Sequence, residues 1–461
     1  MKATAKYANK KILVLGLARS GVAAAKLLHQ LGAFVTVNDT KKLDENPEAQ
    51  ELLASGMTVI TGSHPIDLLD EGFSLIVKNP GIPYTNPILE KAMERKIPII
   101  TEVEIAYDVS EANIIGITGT NGKTTTTTMI AELLNSERKV GEAKLAGNIG
   151  FPTSDVVLTA TSNDTLVTEL SSFQLMGIEN FEPKIAVITN LFEAHLDYHG
   201  SREEYVKAKW AIQKNMTSED YLVLNGNQEE VRQLAKTTKA NVLFFSTTIV
   251  EKEGAYLLDS DLYFKEEKIM RADELGVPGS HNVENALAAI AVAKLTGVSN
   301  EAIRSTLIRF SGVPHRTEYI GEFSNRKIYN DSKATNILAT ERALSGFDNE
   351  KLILIAGGLD RGNGFDELLP SIANLKGLVA IGETADKLAE TAEKANVRHV
   401  KKANNMDEAV NYAWEISEEK DVVLLSPACA SWDQYKNFEI RGEAFVKAVK
   451  QIVSRENKWK Y

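Results

Sequence analysis

The sequence predicts an α/β protein of three domains, each built on a mainly parallel β-sheet. Its length of 461 residues corresponds to roughly three domains at about 150 residues each. Short runs of β-branched residues alternate with longer helical patterns, which is typical of strands joined by crossover helices. Charged residues make up 25% and hydrophobic residues 43%, which excludes a disordered chain, a collagen-like chain and a disulfide scaffold.

The three domains are expected at residues 1–108, 109–312 and 313–461. The first carries a helical stretch at 21–31 and strand-like runs at 11–15, 34–37, 58–60, 75–77 and 97–100. In the second, Ser201 with Glu204 is a capping-box signature for a helix to about Asn215, and strand-like runs lie at 113–117, 165–169, 185–189 and 221–224. The third opens after the breaker cluster 311–314, and its strand-like runs lie at 352–356, 377–381 and 421–425.

Charge and cysteine content narrow the class of protein. The formal net charge of −11 argues against broad nucleic-acid binding, because non-specific binding needs a basic surface. Cys429 is the one cysteine, so no intrachain disulfide forms, which suits a reducing cytoplasm. The longest apolar runs, such as 286–293, fall short of the roughly 20 residues of a membrane span. We therefore expect a soluble cytoplasmic protein with no membrane span and no nucleic-acid partner.

A glycine- and threonine-rich loop at 116–124 stands between a predicted strand and a predicted helix. Its glycines allow backbone N–H groups to turn towards phosphate oxygens. Lys123 supplies a positive charge for the β- and γ-phosphates, and Thr124 offers a hydroxyl to magnesium. The loop is a variant of the common phosphate loop, which has glycine where this chain has Ile117. A structural turn is the alternative interpretation.

A second turn, Gly16–Gly21, follows the first predicted strand. It resembles the G-x-G-x-x-G turn of dinucleotide-binding proteins, with Ala18 at the second glycine and Asp39 near the position of a ribose-binding acid. Ala18 weakens a nicotinamide interpretation, because the second glycine normally allows a pyrophosphate to approach closely. The pattern favours a helix N-terminus facing another nucleotide diphosphate, with nicotinamide binding and a purely structural turn as alternatives.

Glu169 and His195 each come at the end of a predicted strand or just after one. Parallel sheets place their ligand sites beyond the carboxyl ends of the strands, so both side chains could lie beside the phosphate loop. Oxygen ligands with one imidazole suit magnesium or manganese. A lone histidine after a strand is more often structural, but the loop in the same domain favours a ligand. Lys209 is by composition a lysine on a helix surface, like Lys207 two positions before it.

These motifs resemble those of the Mur ligase family and its folylpolyglutamate synthase relatives, in the same order along essentially the whole chain. The stretches that carry the resemblance are 118–124, 169–174, 190–197, 279–285, 314–316, 330–336 and 426–431. It implies a Rossmann-like N-terminal domain, a P-loop ATPase-like central domain and a Rossmann-like C-terminal domain. It also implies an ATP-dependent amide ligase of peptidoglycan precursor synthesis, working through an acyl phosphate.

Two stretches, 330–336 and 426–431, resemble the members that add D-glutamate to UDP-N-acetylmuramoyl-L-alanine. The Asp-Asn-Pro-Arg box of the diamino-acid-adding members is absent. A relative that adds a different amino acid, or glutamate to folate, is the alternative within the family.

The resemblance also implies residue roles. It implies a carbamylated Lys209, preferred over Lys207, which would hold two magnesium ions (or manganese) with Thr124, Glu169 and His195. Lys123 would act with Glu169, His195 and Lys209 in catalysis. ATP would contact Gly119, Thr120, Asn121, Gly122, Lys123, Thr124, Thr125, Asn282, Asn285, Arg316 and Asp331.

The UDP substrate and D-glutamate are expected at the two outer domains, and the third domain is expected to close during the cycle. The UDP end would contact Ala18, Arg19, Ser20, Asp39, Thr40, Lys41, Asn79 and Gly81, and the muramoyl side would contact Asn148. D-glutamate would contact Lys333, Thr335, Arg361, Ser431 and Phe438. Arg361 is the base nearest to the position where family members often carry a lysine. Cys429 has no histidine near it in sequence and is interpreted as a small buried thiol.

Three other classes of function compete with the ligase. An NAD-dependent oxidoreductase rests on Gly16–Gly21 alone and leaves the phosphate loop unexplained. A P-loop nucleotidase switch predicts phosphate release without an amino acid. A non-enzymatic nucleotide-binding module has no use for the metal-ligand set. A monomer acting on small molecules is the expected state.

Overall fold

The computed structural model describes residues 1–149 and 151–458. By the density of its internal contacts the chain forms two units. Residues 1–272 with 284–306 make the first unit, and residues 273–283 with 307–461 make the second. The first unit contains two β-sheets and the second contains a third sheet.

The N-terminal sheet has five parallel strands in the order β3-β2-β1-β4-β5. They are β1 (Lys11–Leu15), β2 (Phe34–Asp39), β3 (Thr58–Thr61), β4 (Leu75–Lys78) and β5 (Ile99–Ile100). The helices are α1 (Arg19–Gln30), α2 (Pro47–Ala54), α3 (Pro87–Glu94) and α4 (Glu102–Val109). Residues 12–15 of β1 are fully buried, as expected for a central strand covered on both faces. The strand order reverses between β1 and β4, which is where such sheets open a binding crevice.

The central sheet has nine strands in the order β14-β13-β12-β11-β10-β9-β6-β8-β7. They are β6 (Asn113–Thr118), β7 (Ala143–Gly147), β8 (Thr165–Glu169), β9 (Ile185–Ile188), β10 (Tyr221–Asn225), β11 (Asn241–Ser246), β12 (Ala255–Leu258), β13 (Asp261–Phe264) and β14 (Glu267–Arg271). Strands β13 and β14 are antiparallel to their neighbours and the other pairs are parallel. Because β6 pairs with both β8 and β9, the ends of these three strands meet at one edge of the sheet.

The helices of the central region are α5 (Lys123–Asn135), α6 (Thr153–Val157), α7 (Ser172–Leu175), α8 (Leu196–His199), α9 (Arg202–Trp210), α10 (Glu229–Ala235), α11 (Ser280–Leu295) and α12 (Asn300–Arg309). In α11 the eight consecutive residues 286–293 are all without exposed surface. A helix that is apolar on every side lies inside a protein or inside a membrane, and this one lies inside the protein. Within residues 1–149 and 151–458, no helix combines the length and the hydropathy needed to cross a membrane.

The third sheet has six strands in the order β15-β16-β20-β17-β18-β19. They are β15 (Glu318–Phe323), β16 (Arg326–Asn330), β17 (Leu352–Gly357), β18 (Gly377–Ile381), β19 (His399–Ala403) and β20 (Val422–Leu425). Only β15 runs antiparallel to its neighbour in this sheet of the described chain. The helices are α13 (Ile337–Leu344), α14 (Leu369–Ile372), α15 (Ala385–Lys394), α16 (Met406–Ile416) and α17 (Phe438–Lys458).

Three mainly parallel sheets confirm the predicted fold class, while several local expectations were wrong. The strand predicted at 97–100 contains only Ile99–Ile100, since Pro98 has no N–H to donate to the ladder. Ser201 caps α9 as expected, accepting from the Glu204 N–H at 3.2 Å, but the helix ends at Trp210, before a short 3-10 turn. The first helix begins at Arg19, two residues earlier than expected.

Candidate active site

The phosphate loop lies between β6 and α5, as its sequence predicts. Gly119 and Gly122 have φ of 142° and 79°, in the range that favours glycine. A Cβ atom at Gly119 would overlap Thr189 Oγ1, and one at Gly122 would overlap Asn285 Oδ1. Gly122 is the N-cap of α5, and no side chain caps this helix end. An uncapped helix N-terminus at a glycine-rich turn is suited to binding an anion.

Residues after β9 hold the phosphate loop in place. Thr189 Oγ1 donates to the Asn121 carbonyl at 2.5 Å, and the Asn121 N–H donates to Asn190 Oδ1 at 2.9 Å. The Thr120 N–H donates to the Asn190 carbonyl at 2.9 Å. Sequence reasoning missed Thr189 and Asn190, although β9 was predicted to end beside the loop. Their contacts fix the loop before any ligand is bound.

Two lysines converge on one carbonyl oxygen of the loop. Lys123 Nζ donates to the Gly119 carbonyl at 3.0 Å, and Lys209 Nζ donates to the same oxygen at 2.7 Å. Lys209 is only 2% exposed, and its Nζ lies 4.8 Å from the centre of the Tyr205 ring. Burial lowers the pKa of Lys209 well below its usual range, Lys123 lowers it further, and Glu169 opposes the shift. Two lysine amino groups therefore meet on one backbone oxygen of the loop.

Glu169, at the end of β8, supplies a buried carboxylate that is half satisfied. Its Oε1 accepts from Asn148 Nδ2 at 2.8 Å, while its Oε2 is buried and has no hydrogen-bond partner within the described residues. Leaving such an oxygen without a partner costs about 1–3 kcal/mol or more. A bound cation would satisfy it. The contact also joins two predicted site residues, Asn148 and Glu169.

His195 immediately precedes α8 with a φ of 55°. Its ring centre lies 5.1 Å from that of Phe173 and 6.2 Å from that of Tyr205. Burial, and then the charge of Lys209, lower the pKa of His195. The imidazole is therefore held in its neutral form, which is the form that binds metals. His199, which stacks on Phe173, contacts Ser172 Oγ through Nε2 at 3.0 Å.

The predicted ligand residues supply only part of the coordination shell of a magnesium ion. Over residues 1–149 and 151–458, no group of three or more His, Cys, Asp and Glu side chains could hold a metal. The predicted set contains just two such side chains, Glu169 and His195, with the buried hydroxyl residue Thr124. Magnesium prefers six oxygen ligands. The residues fit this ion when oxygens from the nucleotide, or from a modified Lys209, complete the shell.

The remaining predicted ATP contacts divide between the two units. Asn285 lies beside the phosphate loop and accepts from Thr126 Oγ1 at 3.2 Å, and Thr125 is buried in α5. In the second unit, Asn282 is buried and donates to the Pro278 carbonyl at 2.6 Å.

Asp331 is also in the second unit, and it is buried with both carboxylate oxygens engaged. Oδ1 accepts from the Thr317 N–H at 3.1 Å, and Oδ2 accepts from Ser426 Oγ at 2.8 Å. Burial raises the pKa of Asp331 to about 7, although these hydrogen bonds and the charge of Arg316 oppose the shift. In this geometry Asp331 ties the end of β16 to the end of β20.

The turn at Gly16–Gly21 is held by one carboxylate. Asp39 Oδ2 accepts from the Leu17 N–H at 2.7 Å, and Oδ1 accepts from the Lys41 N–H at 2.9 Å. A cleft of about 700 Å³ lies against this turn, and its lining includes Ala18, Arg19, Asp39, Thr40 and Lys41. The structure thus brings the predicted UDP-side residues of the first two strands together around one cleft.

A neighbouring loop, 79–82, reaches the same turn. Asn79 Nδ2 donates to Ser20 Oγ at 3.1 Å, and Asn79 Oδ1 accepts from the Gly81 N–H at 3.2 Å. Asn79 therefore orients its own loop and the N-terminal turn of α1 together.

In the second unit four of the predicted D-glutamate residues lie on three loops, and Phe438 is the first residue of α17. The Arg361 guanidinium is 5.4 Å from the Trp432 ring centre, and Lys333 Nζ is 5.4 Å from the Phe438 ring centre. Ser431 is buried and Thr335 is half-buried.

Arg441, which sequence reasoning missed, holds these loops together. It is buried and donates to Ser332 Oγ at 3.1 Å, to the Ser332 carbonyl at 2.8 Å and to the Cys429 carbonyl at 3.0 Å. Cys429 is buried, as predicted, and burial raises the pKa of its thiol. A protonated buried thiol is unsuited to nucleophilic chemistry.

Three family descriptions match the chain. The Mur ligase MurD-like N-terminal domain matches residues 10–101, the Mur ligase middle domain matches 117–293, and the Mur ligase glutamate ligase domain matches 315–429.

Solved structures support the same fold. The UDP-N-acetylmuramate–alanine ligase MurC of Thermotoga maritima has a TM-score of 0.58 at 21% identity, covering 96% of this chain and 100% of that chain. The MurF ligase of Thermotoga maritima in complex with ADP has a TM-score of 0.55 at 16% identity, covering 99% of this chain and 98% of that chain.

Curated relatives are much more similar in sequence. A UDP-N-acetylmuramoylalanine–D-glutamate ligase of Enterococcus faecalis is 68% identical over 456 residues, which is 99% of this chain and 100% of that protein. Proteins of the same name from Enterococcus hirae and Lactococcus lactis subsp. cremoris are 64% and 62% identical, covering 96% and 98% of this chain and 96% and 100% of their own lengths. With its domain order, its phosphate loop and these relatives, the chain belongs to the Mur ligase family.

Proposed function

We propose that this chain is an ATP-dependent, ADP-forming ligase that joins D-glutamate to UDP-N-acetylmuramoyl-L-alanine in peptidoglycan precursor synthesis. The observation that carries the chemistry is the meeting of Lys123 and Lys209 on the Gly119 carbonyl, together with the partnerless buried oxygen of Glu169, whose charge acts on Lys209. The relatives that share 68% and 64% of its sequence, and that bear this activity in their names, support the choice of substrates.

The reaction follows from the chemistry of a carboxylate. A carboxylate is a poor electrophile, so the amine of D-glutamate does not attack it at a useful rate. Transfer of the γ-phosphoryl group of ATP gives an acyl phosphate, whose attack by the amine forms the amide and releases phosphate. Catalysis here is mainly positioning and charge neutralisation. Lys123 neutralises the transferred phosphoryl group, and the uncapped start of α5 orients the phosphates.

The division of labour follows the three predicted domains. Residues 1–108 hold the UDP end of the substrate, 109–312 hold ATP and the metals, and 313–461 hold D-glutamate. The cleft at Gly16–Gly21, lined by Arg19 and Lys41, supports the first assignment, because both cations suit an anionic diphosphate. The loops joined by Arg441 support the third, because Arg441 ties Ser332, near Thr335, to Cys429, near Ser431.

We also propose that Lys209 is carbamylated and that two magnesium ions, or manganese, are held by Thr124, Glu169, His195 and the carbamate. A neutral amine attacks CO₂, forming an N–C bond and releasing one proton, so a buried lysine held neutral is suited to this modification. The product is an anion that supplies oxygen ligands beside the Glu169 Oε2 atom. The metals, when bound, neutralise the charge that develops on the phosphoryl oxygens. Asn148 orients Glu169 for this role.

Phosphate release from ATP tests the activity. The purified protein is given UDP-N-acetylmuramoyl-L-alanine and magnesium with D-Glu, L-Glu, L-Ala, L-Lys or no amino acid. We expect rapid release only with D-Glu. Equal release with all four amino acids contradicts the specificity, and rapid release with none of them favours a nucleotidase switch.

The protein is further proposed to act as a cytoplasmic monomer on small molecules. Sedimentation at several protein concentrations tests the oligomeric state, and a mass that rises with concentration contradicts a monomer.

A further inference from the structure

Lys78, the last residue of β4, is a buried cation that the proposed reaction does not use. It is 1% exposed, and its Nζ donates to the carbonyls of Pro80 at 3.1 Å and Ile82 at 3.0 Å and to the Tyr198 hydroxyl at 3.1 Å. Within the described residues, no carboxylate lies within ion-pair distance of it. Burying a charge without a counter-ion is costly, and a methionine would fill a similar volume without that cost.

Tyr198 contacts both Lys78 and the two carbonyls that Lys78 binds. Its hydroxyl lies 2.9 Å from the Ile82 carbonyl and 3.1 Å from the Pro80 carbonyl, so it donates to this pair while accepting from Lys78. Its ring packs edge-on against Phe173 at 4.5 Å between ring centres. Tyr198 lies in the four-residue helix α8, and its N–H donates to the His195 carbonyl at 3.2 Å.

The loop 79–82 has a second anchor on the UDP-side turn. Asn79 at its start contacts Ser20 at 3.1 Å, beside the cleft lined by Ala18 and Arg19. One short loop therefore contacts the turn assigned to the UDP diphosphate at one end and the helix that follows His195 at the other. The connection consists of hydrogen bonds to backbone carbonyls, which leave the loop little freedom to move alone.

We propose that Lys78 and Tyr198 are positioning residues that link the loop 79–82 to the His195 segment, so that binding of the UDP-linked substrate strengthens metal binding at His195. The inference rests on the proposed function, since it takes the UDP-linked substrate and the metal from it. Neither residue touches substrate or metal. Both act by fixing the backbone that joins the two sites.

The test measures metal affinity directly, without turnover. Mn²⁺ is titrated into the protein in the presence of a non-hydrolysable ATP analogue, with and without UDP-N-acetylmuramoyl-L-alanine, and free Mn²⁺ is followed by electron paramagnetic resonance. In the wild-type protein we expect the substrate to tighten Mn²⁺ binding about fivefold or more, within the usual range of coupling between sites. In Lys78→Met and in Tyr198→Phe we expect this factor to fall to about one.

Tyr84→Phe is the matched control. The Tyr84 ring lies 4.9 Å from Lys78 Nζ, but its hydroxyl donates to the Met176 carbonyl, outside the contact between Lys78 and Tyr198. This variant is expected to keep the wild-type coupling factor. Tyr198→Phe keeps its aromatic ring packed against Phe173 and should fold. It therefore tests the coupling even if Lys78→Met does not fold.

The outcomes separate this inference from the proposed function. A coupling factor near one in the wild-type protein, or a wild-type factor in both variants, overturns the inference even when D-glutamate ligation is observed. Absence of ligation by the wild-type protein overturns the proposed function instead. Loss of coupling in Tyr84→Phe to the same degree as in Tyr198→Phe also overturns the inference, because it indicates a general loosening of this region.

Discussion

The chain contains two glycine-rich turns with similar backbone design and different polar surroundings. Gly16–Gly21 and the loop at 119–124 each follow a buried parallel strand and begin a helix that has neither a side-chain cap nor an acid in its first turn. The first turn is held by the Asp39 carboxylate, which accepts from Leu17. The second is held by amide and hydroxyl side chains, and the amino groups of Lys123 and Lys209 donate to its backbone.

This difference shows how one structural unit is adapted to two tasks. A helix N-terminus with a nearby acid can hold a diphosphate and a sugar that do not react. Transfer of a phosphoryl group also needs cations at the atoms where charge develops. At the second turn Lys123 and the proposed metals would supply such cations, whereas Arg19 and Lys41 at the first turn line a binding cleft. Substitutions in the second turn should therefore lower kcat, and those in the first should raise KM.

The largest effect is expected for Lys209→Ala, which removes the buried amine beneath the loop. We expect kcat to fall by at least about a hundredfold, as for loss of a group that stabilises developing charge. A short-chain carboxylate such as formate should partly restore activity by supplying the missing oxygens. Steady-state phosphate release measures both.

Lys207→Ala is the control for this prediction. Its side chain is 77% exposed and is paired only with Glu204, at 3.3 Å, so activity should stay near wild type. Wild-type activity of Lys209→Ala would contradict the carbamate proposal.

The next effect is expected for Gly122→Ala in the second turn. The left-handed φ of 79° costs a non-glycine residue about 1–2 kcal/mol, and the new methyl group would overlap Asn285. We expect a lower melting temperature and weaker binding of ATP, measured by thermal unfolding and calorimetric titration.

Gly56→Ala separates the cost of the left-handed backbone from the effect of the overlap with Asn285. Gly56 has a φ of 86° but no atom within 4 Å of its Cβ position, so this change should lower stability alone. Equal ATP affinity in the two variants would show that the overlap with Asn285 is unimportant.

A smaller effect is expected for Arg19→Ala in the first turn. The exposed guanidinium lines the cleft, and loss of one charge-assisted hydrogen bond should raise KM for the UDP substrate about tenfold with kcat nearly unchanged. Arg95→Ala, another arginine of this domain, paired with Asp70 at 2.6 Å, should leave both constants unaltered. A fall in kcat for Arg19→Ala would contradict the assignment of substrate binding to the first turn and phosphoryl transfer to the second.

The smallest expected effect is a pH dependence of the free energy of unfolding, caused by Lys78 beside the loop 79–82. Burial lowers the pKa of Lys78 to about 7, while Tyr84 and Tyr198 beside it have pKa values raised to about 12. Between pH 7 and 10 the unfolded chain therefore binds more protons at Lys78 than the folded chain, so the contribution of Lys78 to the free energy of unfolding should rise with pH, while the two tyrosines act in the opposite direction near pH 10. One proton limits this slope to about 1.4 kcal/mol per pH unit.

Comparison with Lys78→Met isolates this contribution. Unfolding by urea at pH 7, 8.5 and 10 should show a steeper rise with pH for the wild-type protein than for the variant. Parallel curves for the two proteins would mean that Lys78 stays charged in the folded state.

The sequence predicts more of the sheets than of the site. Buried parallel strands such as β1 and β9 consist almost entirely of apolar residues, so their places follow from composition. The antiparallel strands β13 and β14 are short and only partly buried, and they were missed. The neighbourhood of Glu169 and the phosphate loop follows from the parallel topology, because β6 pairs with β8.

The contacts of Lys78 and Arg441 could not be predicted, since both look like surface cations in the sequence. Their burial depends on how loops distant along the chain pack over them. The spacing of Tyr205 and Lys209 could have indicated their contact. Tyr205 stands four residues before Lys209, so both lie on one face of the helix.

The burial of residues 286–293 in α11 restricts the substitutions that this protein can accumulate during evolution. Each of these residues lacks exposed surface, so an added methylene on any side must displace a neighbouring element. Substitutions that are harmless on exposed helices are therefore removed here by loss of folded protein. We expect natural variants from different strains to differ less in these eight positions than along the exposed rims of the ligand clefts.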